Sequence, residues 1–227
     1  MILKIFSNIF IFSLLIINSS CNFDKNYFPN NEGKQVFYDV FFKDKENNKK
    51  YYRQSFFFLP TMDNAIPVLK HDGDITFYVF GKKGITKKSR EEFLSNKLDN
   101  ENNQLLIAYP IVKNTVWETD DKTTLQMKLG YDRVYNTDLP LKLRNEILET
   151  DESLTINGRK IDNCIKISGY GKTSYNPGPP LGNINIEVFS SSWYSKDYGL
   201  VKYIREEKSD SETMGTIIYE KTMLIDD

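Results

Sequence analysis

The 227-residue sequence predicts an all-β, antiparallel protein built on a strongly curved sheet or half-open barrel with one short helix. Three observations carry this expectation. About ten segments alternate apolar and polar residues with period 2, the spacing that puts every second side chain on one face of a strand. Asp-Gly and Asn-Gly pairs lie between such segments, where glycine accepts the positive φ of a tight hairpin. The chain also carries 14 Tyr and 15 Phe, residue types that favour strands.

The elements follow in order. In "KQVFYDVFFKD", Val36, Tyr38, Val40 and Phe42 share one face. The polar turn "KENNKK" leads to "YYRQSFFFLP", the expected antiparallel partner. Asp72-Gly73 divides "IPVLKHDGDITFYVF" into a hairpin. "SREEFLSNKL" breaks the pattern: Ser89 with Glu92 three residues on forms a capping box, and Phe93, Leu94 and Leu98 share a short helical face. After the polar "DNENNQ" the strands resume with "LLIAYP", "TTLQMKL", "LRNEILETDESLTI", "KIDNCIKISGYG", "INIEVFSSSWY", "GLVKYIREE" and "GTIIYEKTMLI". Asn157-Gly158 is a second hairpin turn, and "YNPGPPLGN" is a loop. This pattern fits a closed barrel, a half-open barrel or a two-sheet sandwich equally.

The first residues bear on location. Lys4 precedes an apolar run from Ile9 to Ile17, too short to span a bilayer, which needs roughly 20 apolar residues. A positive start, a short apolar run and the small residues Ser19 and Ser20 form a secretory signal. Cys21 follows directly and resembles the cysteine of a bacterial lipobox, although Asn18 stands where Leu is usual. The expected organisation is a lipoprotein signal peptide over 1–20, a tether over 21–33 broken by Pro29 and Gly33, and a single β-rich domain over 34–227. Cys21 is the expected lipid-attachment residue, through which the membrane is the first expected partner. Acyl chains contribute about 0.8 kcal/mol per buried CH₂, so two or three anchor a chain without a span. Asn22 is not the Asp that directs inner-membrane retention, which favours the outer membrane.

Charge excludes one class of partner. Loss of Lys4 with the signal leaves 29 basic against 31 acidic residues. A nucleic-acid binder needs clustered Lys and Arg on a basic domain, so none is expected.

Four segments in order resemble uncharacterised bacterial cell-envelope lipoproteins: "NYFPNNEGKQVFY" with its Tyr-x-Pro, "AYPIVKNTVWE" with Asn114 where Gly is usual, "ESLTINGRKIDNCIKISGYG", and "SSWYSKDYGLVKYI". The resemblance covers most of the mature chain. It implies a β-rich envelope domain and transfers no catalytic residue.

No motif points to catalysis, and no cofactor is expected. "GYGKTS" (169–174) holds Gly-Lys-Thr, but a phosphate loop needs Gly where Lys166 stands and a helix after it. His71 with Asp72 and Asp74 offers one histidine where a catalytic zinc normally has more, and a Ser-His-Asp triad would need this same histidine. The loops 44–50 and 99–104 lack the Gly and the bidentate Glu of a calcium loop. Asp120-Asp121 is an acidic pair without an evident cleft. Cys164 alternates with apolar residues and is expected buried on a strand, unpaired. Trp117 and Trp193 are expected packing residues. Phe56, Phe57 and Phe58 put an aromatic on both strand faces: one face packs a core, and the other meets the helix at Phe93 or lines an apolar groove.

The expected function is therefore that of a membrane-anchored binding or structural protein, not an enzyme. It would hold an apolar ligand or an envelope partner protein on its curved sheet. The alternative is an envelope hydrolase using carboxylates or a metal.

Overall fold

The computed structural model describes residues 27–28, 31–62, 64–95, 105–128, 134–179, 182–211 and 215–225. Twelve strands form one antiparallel sheet: β1 (Gln35–Lys43), β2 (Lys49–Phe58), β3 (Ala65–Lys70), β4 (Ile75–Phe80), β5 (Gly84–Ser89), β6 (Leu105–Ala108), β7 (Val116–Lys128), β8 (Val134–Ile156), β9 (Arg159–Tyr175), β10 (Ile184–Ser195), β11 (Gly199–Ser209) and β12 (Thr216–Met223). The one described helix, α1 (Arg90–Leu94), is short. No described helix is long and apolar enough to cross a membrane.

Every strand pairs with its sequence neighbour except β6 and β7, and β12 returns to pair with β1. The sheet is thus a nearly closed barrel whose two edges are consecutive in the chain. Trp117 draws these edges together. Its Nε1 donates to the Leu105 carbonyl over 2.8 Å in a buried bond from β7 to β6. The connecting segment is tied down as well: Asn114 N donates to Ile147 O, and Ile147 N donates to Thr115 O.

The expected hairpins are present. Gly73 (φ 89°) turns β3 into β4, and Asn157 (φ 51°) with Gly158 (φ 81°) turns β8 into β9. The capping box is also formed: Ser89 N donates to Glu92 Oε2 (2.6 Å) and Glu92 N to Ser89 Oγ (3.3 Å). The helix contact differs from expectation. Phe93 stacks on Phe77 of β4, with ring centroids 4.1 Å apart, and not on the 56–58 run. Phe56 and Phe58 turn inward, while Phe57 stays on the outer wall, 37% exposed.

One region of β9 sets the barrel's shape. A Cβ on Gly169 would lie 2.4 Å from Ser190 Oγ, and one on Gly171 would lie 2.4 Å from Leu141 Cδ1. Without side chains at these points the wall curls sharply. Leu139, Leu141 and Leu143 of β8 then meet Ile184, Ile186 and Val188 of β10 across the glycines in one buried cluster. This explains "GYGKTS": its glycines serve close packing within β9, which runs on to Tyr175. A larger apolar cluster holds Val36, Tyr38, Ile85, Ile107, Trp117, Ile147 and Ile165. Each fully buried aliphatic side chain contributes about 1.5–3 kcal/mol.

Tyr27 and Phe28, placed in the tether by sequence, belong to this larger cluster. Phe28 lies 4.3 Å from the Tyr78 ring. That part of the tether docks on the barrel. All twelve strands lie within residues 35–223, so the chain from residue 22 contains the whole barrel.

Candidate functional site

The barrel interior holds a cavity of about 670 Å³ that is open to solvent. Strand pairing dictates what faces it. Tyr78 of β4 is opposite Lys87 of β5, Tyr203 of β11 is opposite Lys221 of β12, and Ser192 of β10 is opposite Tyr203. Alternation then brings Arg205, Ser190 and Tyr219 inward as well. Leu143 and Ile167 supply apolar wall, and Phe28 closes part of it. A recess of about 40 Å³ adjoins it, sharing Phe28, Tyr78, Leu200 and Lys221.

A clamp of charges crosses the interior. Arg205 Nη1 lies 2.5 Å from Asp121 Oδ2, its Nε donates to Glu207 Oε1 (2.6 Å), and its Nη2 donates to the Lys122 carbonyl (2.9 Å). Thr123 Oγ1 donates to Glu207 Oε2 over 2.5 Å. The three charged side chains are each less than a quarter exposed. Both carboxylates are therefore engaged by the wall itself.

The lysines differ. Lys70 pairs with Asp74 (3.3 Å). Lys87 and Lys221 make no salt bridge with a described carboxylate. Lys221 Nζ instead sits 4.8 Å from the Tyr38 ring centroid and 4.9 Å from that of Phe56. Surrounding protein pulls its pKa down to about 8, helped by the charge on Lys87. Lys87 is shifted down by the same desolvation and by Lys70, with Asp121 opposing. The tyrosines move the other way. Burial pushes Tyr78 up to about 12, and Tyr38 further still. Their hydroxyls stay protonated at neutral pH.

Other candidates from sequence fall elsewhere. Cys21 and the signal segment lie outside the described residues, as does 99–104. His71 and Asp72 are exposed on the β3–β4 turn, and Asp72 Oδ1 accepts from Asp74 N. In the 44–50 loop, Asp44 accepts bonds from the backbone of Glu46 and Asn48. Asp120 and Asp121 point apart: Asp120 pairs with Lys142 (2.8 Å), while Asp121 meets Arg205. They cannot work as one acid–base pair. No group of three or more His, Cys, Asp or Glu side chains placed to hold a metal occurs among the described residues. Cys164 is buried and free, and burial pushes its thiol up to about 11. Trp193 is buried beside Lys166. Exposed aromatics at Tyr51 and Phe57 stand on the outer wall.

Sequence reasoning missed the interior charges. A signal was available. Lys87 keeps step with Ile85, Arg205 with Val201, and Lys221 with Met223. A charged residue in phase with buried ones on a strand marks a wet interior.

The chain matches no protein-family model and no curated protein. Among solved structures it is similar to a "putative lipoprotein" from Parabacteroides distasonis, with 14% identity, 87% of this chain and 96% of that chain covered, and a TM-score of 0.41. It is also similar to the "hypothetical lipoprotein YmcC" from Escherichia coli (K12), with 12% identity, 96% and 94% covered, and a TM-score of 0.35.

Proposed function

We propose that this chain is a lipid-anchored binding protein of the bacterial cell envelope, attached through Cys21, whose barrel interior holds a small ligand. The carrying observation is the cavity of about 670 Å³, lined by aromatic rings, aliphatic wall and unpaired lysines. Ligand pockets commonly measure about 300–1,000 Å³ and combine apolar wall with a few placed polar groups. The signal run, Ser19-Ser20 and Cys21 support the anchor, and Asn22 supports the outer membrane.

Two measurements test the two halves. Protein from residue 22 onward is purified without detergent, denatured, and its extract analysed by mass spectrometry. A stoichiometric small molecule is expected, and an empty extract together with no uptake of added small molecules overturns lumen binding. Separately, cells expressing the full chain are fed an alkyne fatty acid. Wild type should take label and enter the detergent phase, and Cys21→Ala should not. Equal labelling of both rejects the lipid anchor.

A further inference from the structure

The interior is unbalanced in a specific way. Its carboxylates are engaged, while Lys87, Lys88 and Lys221 make no salt bridge with a described carboxylate. Asp121 and Glu207 are held by Arg205. Asp120 turns to Lys142, and Glu92 accepts from the backbone at the start of α1. Lys70 has Asp74. Lys87 and its neighbour Lys88 on β5 and Lys221 on β12 are left, and Lys87 and Lys221 line one cavity from opposite halves of the sheet. The charge on Lys87 disfavours the charge on Lys221. Lys221, half-buried against its rings, carries a desolvation cost without a counter-ion, while Lys87 keeps contact with solvent. A bound anion would remove that penalty. Tyr78, whose protonated hydroxyl can donate, lines the same cavity with the Phe28 ring packed on it, and Leu143 and Ile167 supply apolar lining.

We propose that the cavity binds an organic anion: its carboxylate, sulfonate or phosphate group sits between Lys87, Lys221 and the Tyr78 hydroxyl, and its apolar or aromatic body lies against Phe28, Leu143 and Ile167. This rests on the lumen being a binding site, and it adds the ligand's charge and polarity.

A matched pair of probes tests it on the chain from residue 22. 1-Anilinonaphthalene-8-sulfonate carries the anion, and N-phenyl-1-naphthylamine is the same ring body without it. At pH 7 the sulfonate should bind about tenfold tighter or more, a difference of about 1.4 kcal/mol. In the double variant Lys87→Met/Lys221→Met that preference should vanish while the neutral probe still binds. Lys160→Met, exposed near the β8–β9 turn and paired with Asp162 away from the cavity lining, should change neither. If the double variant does not fold, wild type suffices. Between pH 7 and 10 the sulfonate should lose affinity while the neutral probe holds steady. The groups facing the site are Lys70, Lys87, Lys88, Lys221, Arg205, Glu92, Asp120, Asp121 and Tyr38, Tyr78, Tyr194, Tyr203 and Tyr219. Of these Lys221 and Lys87 are shifted down while burial raises the tyrosines, so the loss of positive charge leads. Equal binding of both probes to wild type overturns the anion and leaves the lumen reading standing. Retained preference in the double variant, or a flat pH profile for the sulfonate, also overturns the anion. Binding of neither probe overturns both.

Discussion

Arg205 on β11 reaches Asp121 on β7 with 2.5 Å between Nη1 and Oδ2, although three strands of wall separate them along the sheet. The contact exists because the glycines of β9 curl that wall back on itself. It makes Arg205 the cation for two carboxylates, Asp121 and Glu207.

Replacing Arg205 with Met leaves those two carboxylates facing each other without a cation. Breaking a buried ion pair by removing one partner typically costs about 3–5 kcal/mol, and partial exposure here places the expected loss at the lower end. Urea unfolding of Arg205→Met at pH 7 checks this. A loss below about 0.5 kcal/mol would show that the clamp contributes no more than a surface pair.

Lys221 should be a residue that the fold tolerates at a cost. Its native pKa is about 8, against about 10.4 in an unfolded chain. Between those values the unfolded state binds more protons, so this group's contribution to stability rises with pH there. Below pH 8 the full penalty applies. Lys221→Met should therefore be more stable than wild type at pH 7, by about 1–3 kcal/mol after losing its ring contacts. The gain should shrink toward pH 10. Paired thermal melts at the two pH values test it, and a variant less stable at pH 7 contradicts it.

Trp117 should govern the seam. Trp117→Phe keeps an aromatic ring, though a smaller one, and removes the N–H that caps the Leu105 carbonyl, a buried acceptor. The expected cost is about 1–3 kcal/mol. Amide hydrogen exchange should quicken first in β6, at Leu105–Ala108, and unchanged protection there would contradict this role.

Cys164 offers a cleaner test of packing. Its Sγ is 3.9 Å from the carbonyls of Ile161 and Asp162. A serine hydroxyl on its shorter bond would sit farther from both and stay unpaired. Cys164→Ser should cost about 1–3 kcal/mol. Native protein should react with a thiol reagent only at its unfolding rate, and rapid labelling would refute the burial.

Strand identity and the hairpins were legible because they are local. Asp72-Gly73, Asn157-Gly158 and the Ser89–Glu92 box act through neighbouring residues. Cys164 is buried as expected, but not by simple alternation: its neighbours two residues away are Asp162 and Lys166, and an irregularity beside Asn163 (φ 56°) sets its direction. The interior was not legible in the same way, since Asp121 and Arg205 are 84 residues apart. Their meeting depends on how sharply the wall turns at Gly169 and Gly171, which no periodicity encodes. Phe28 was hidden for a related reason. It lies in a polar stretch, and its partners Tyr78 and Tyr194 come from distant strands.

The pairing of β12 with β1 makes the barrel's closure a question of time as well as geometry. Strands β1–β6 and β7–β12 can each zip up through successive short hairpins, with contacts local in sequence. Tyr38 meets Met223 only when the last strand is available. Non-local pairings of this kind slow folding, because a long loop must close before any contact rewards it. In a chain delivered N-terminus first, β1 waits with an open edge while the other eleven strands arrive, and an open edge is a template for pairing with a neighbouring molecule. The molecule's most vulnerable interval thus falls between the emergence of its first strand and its last.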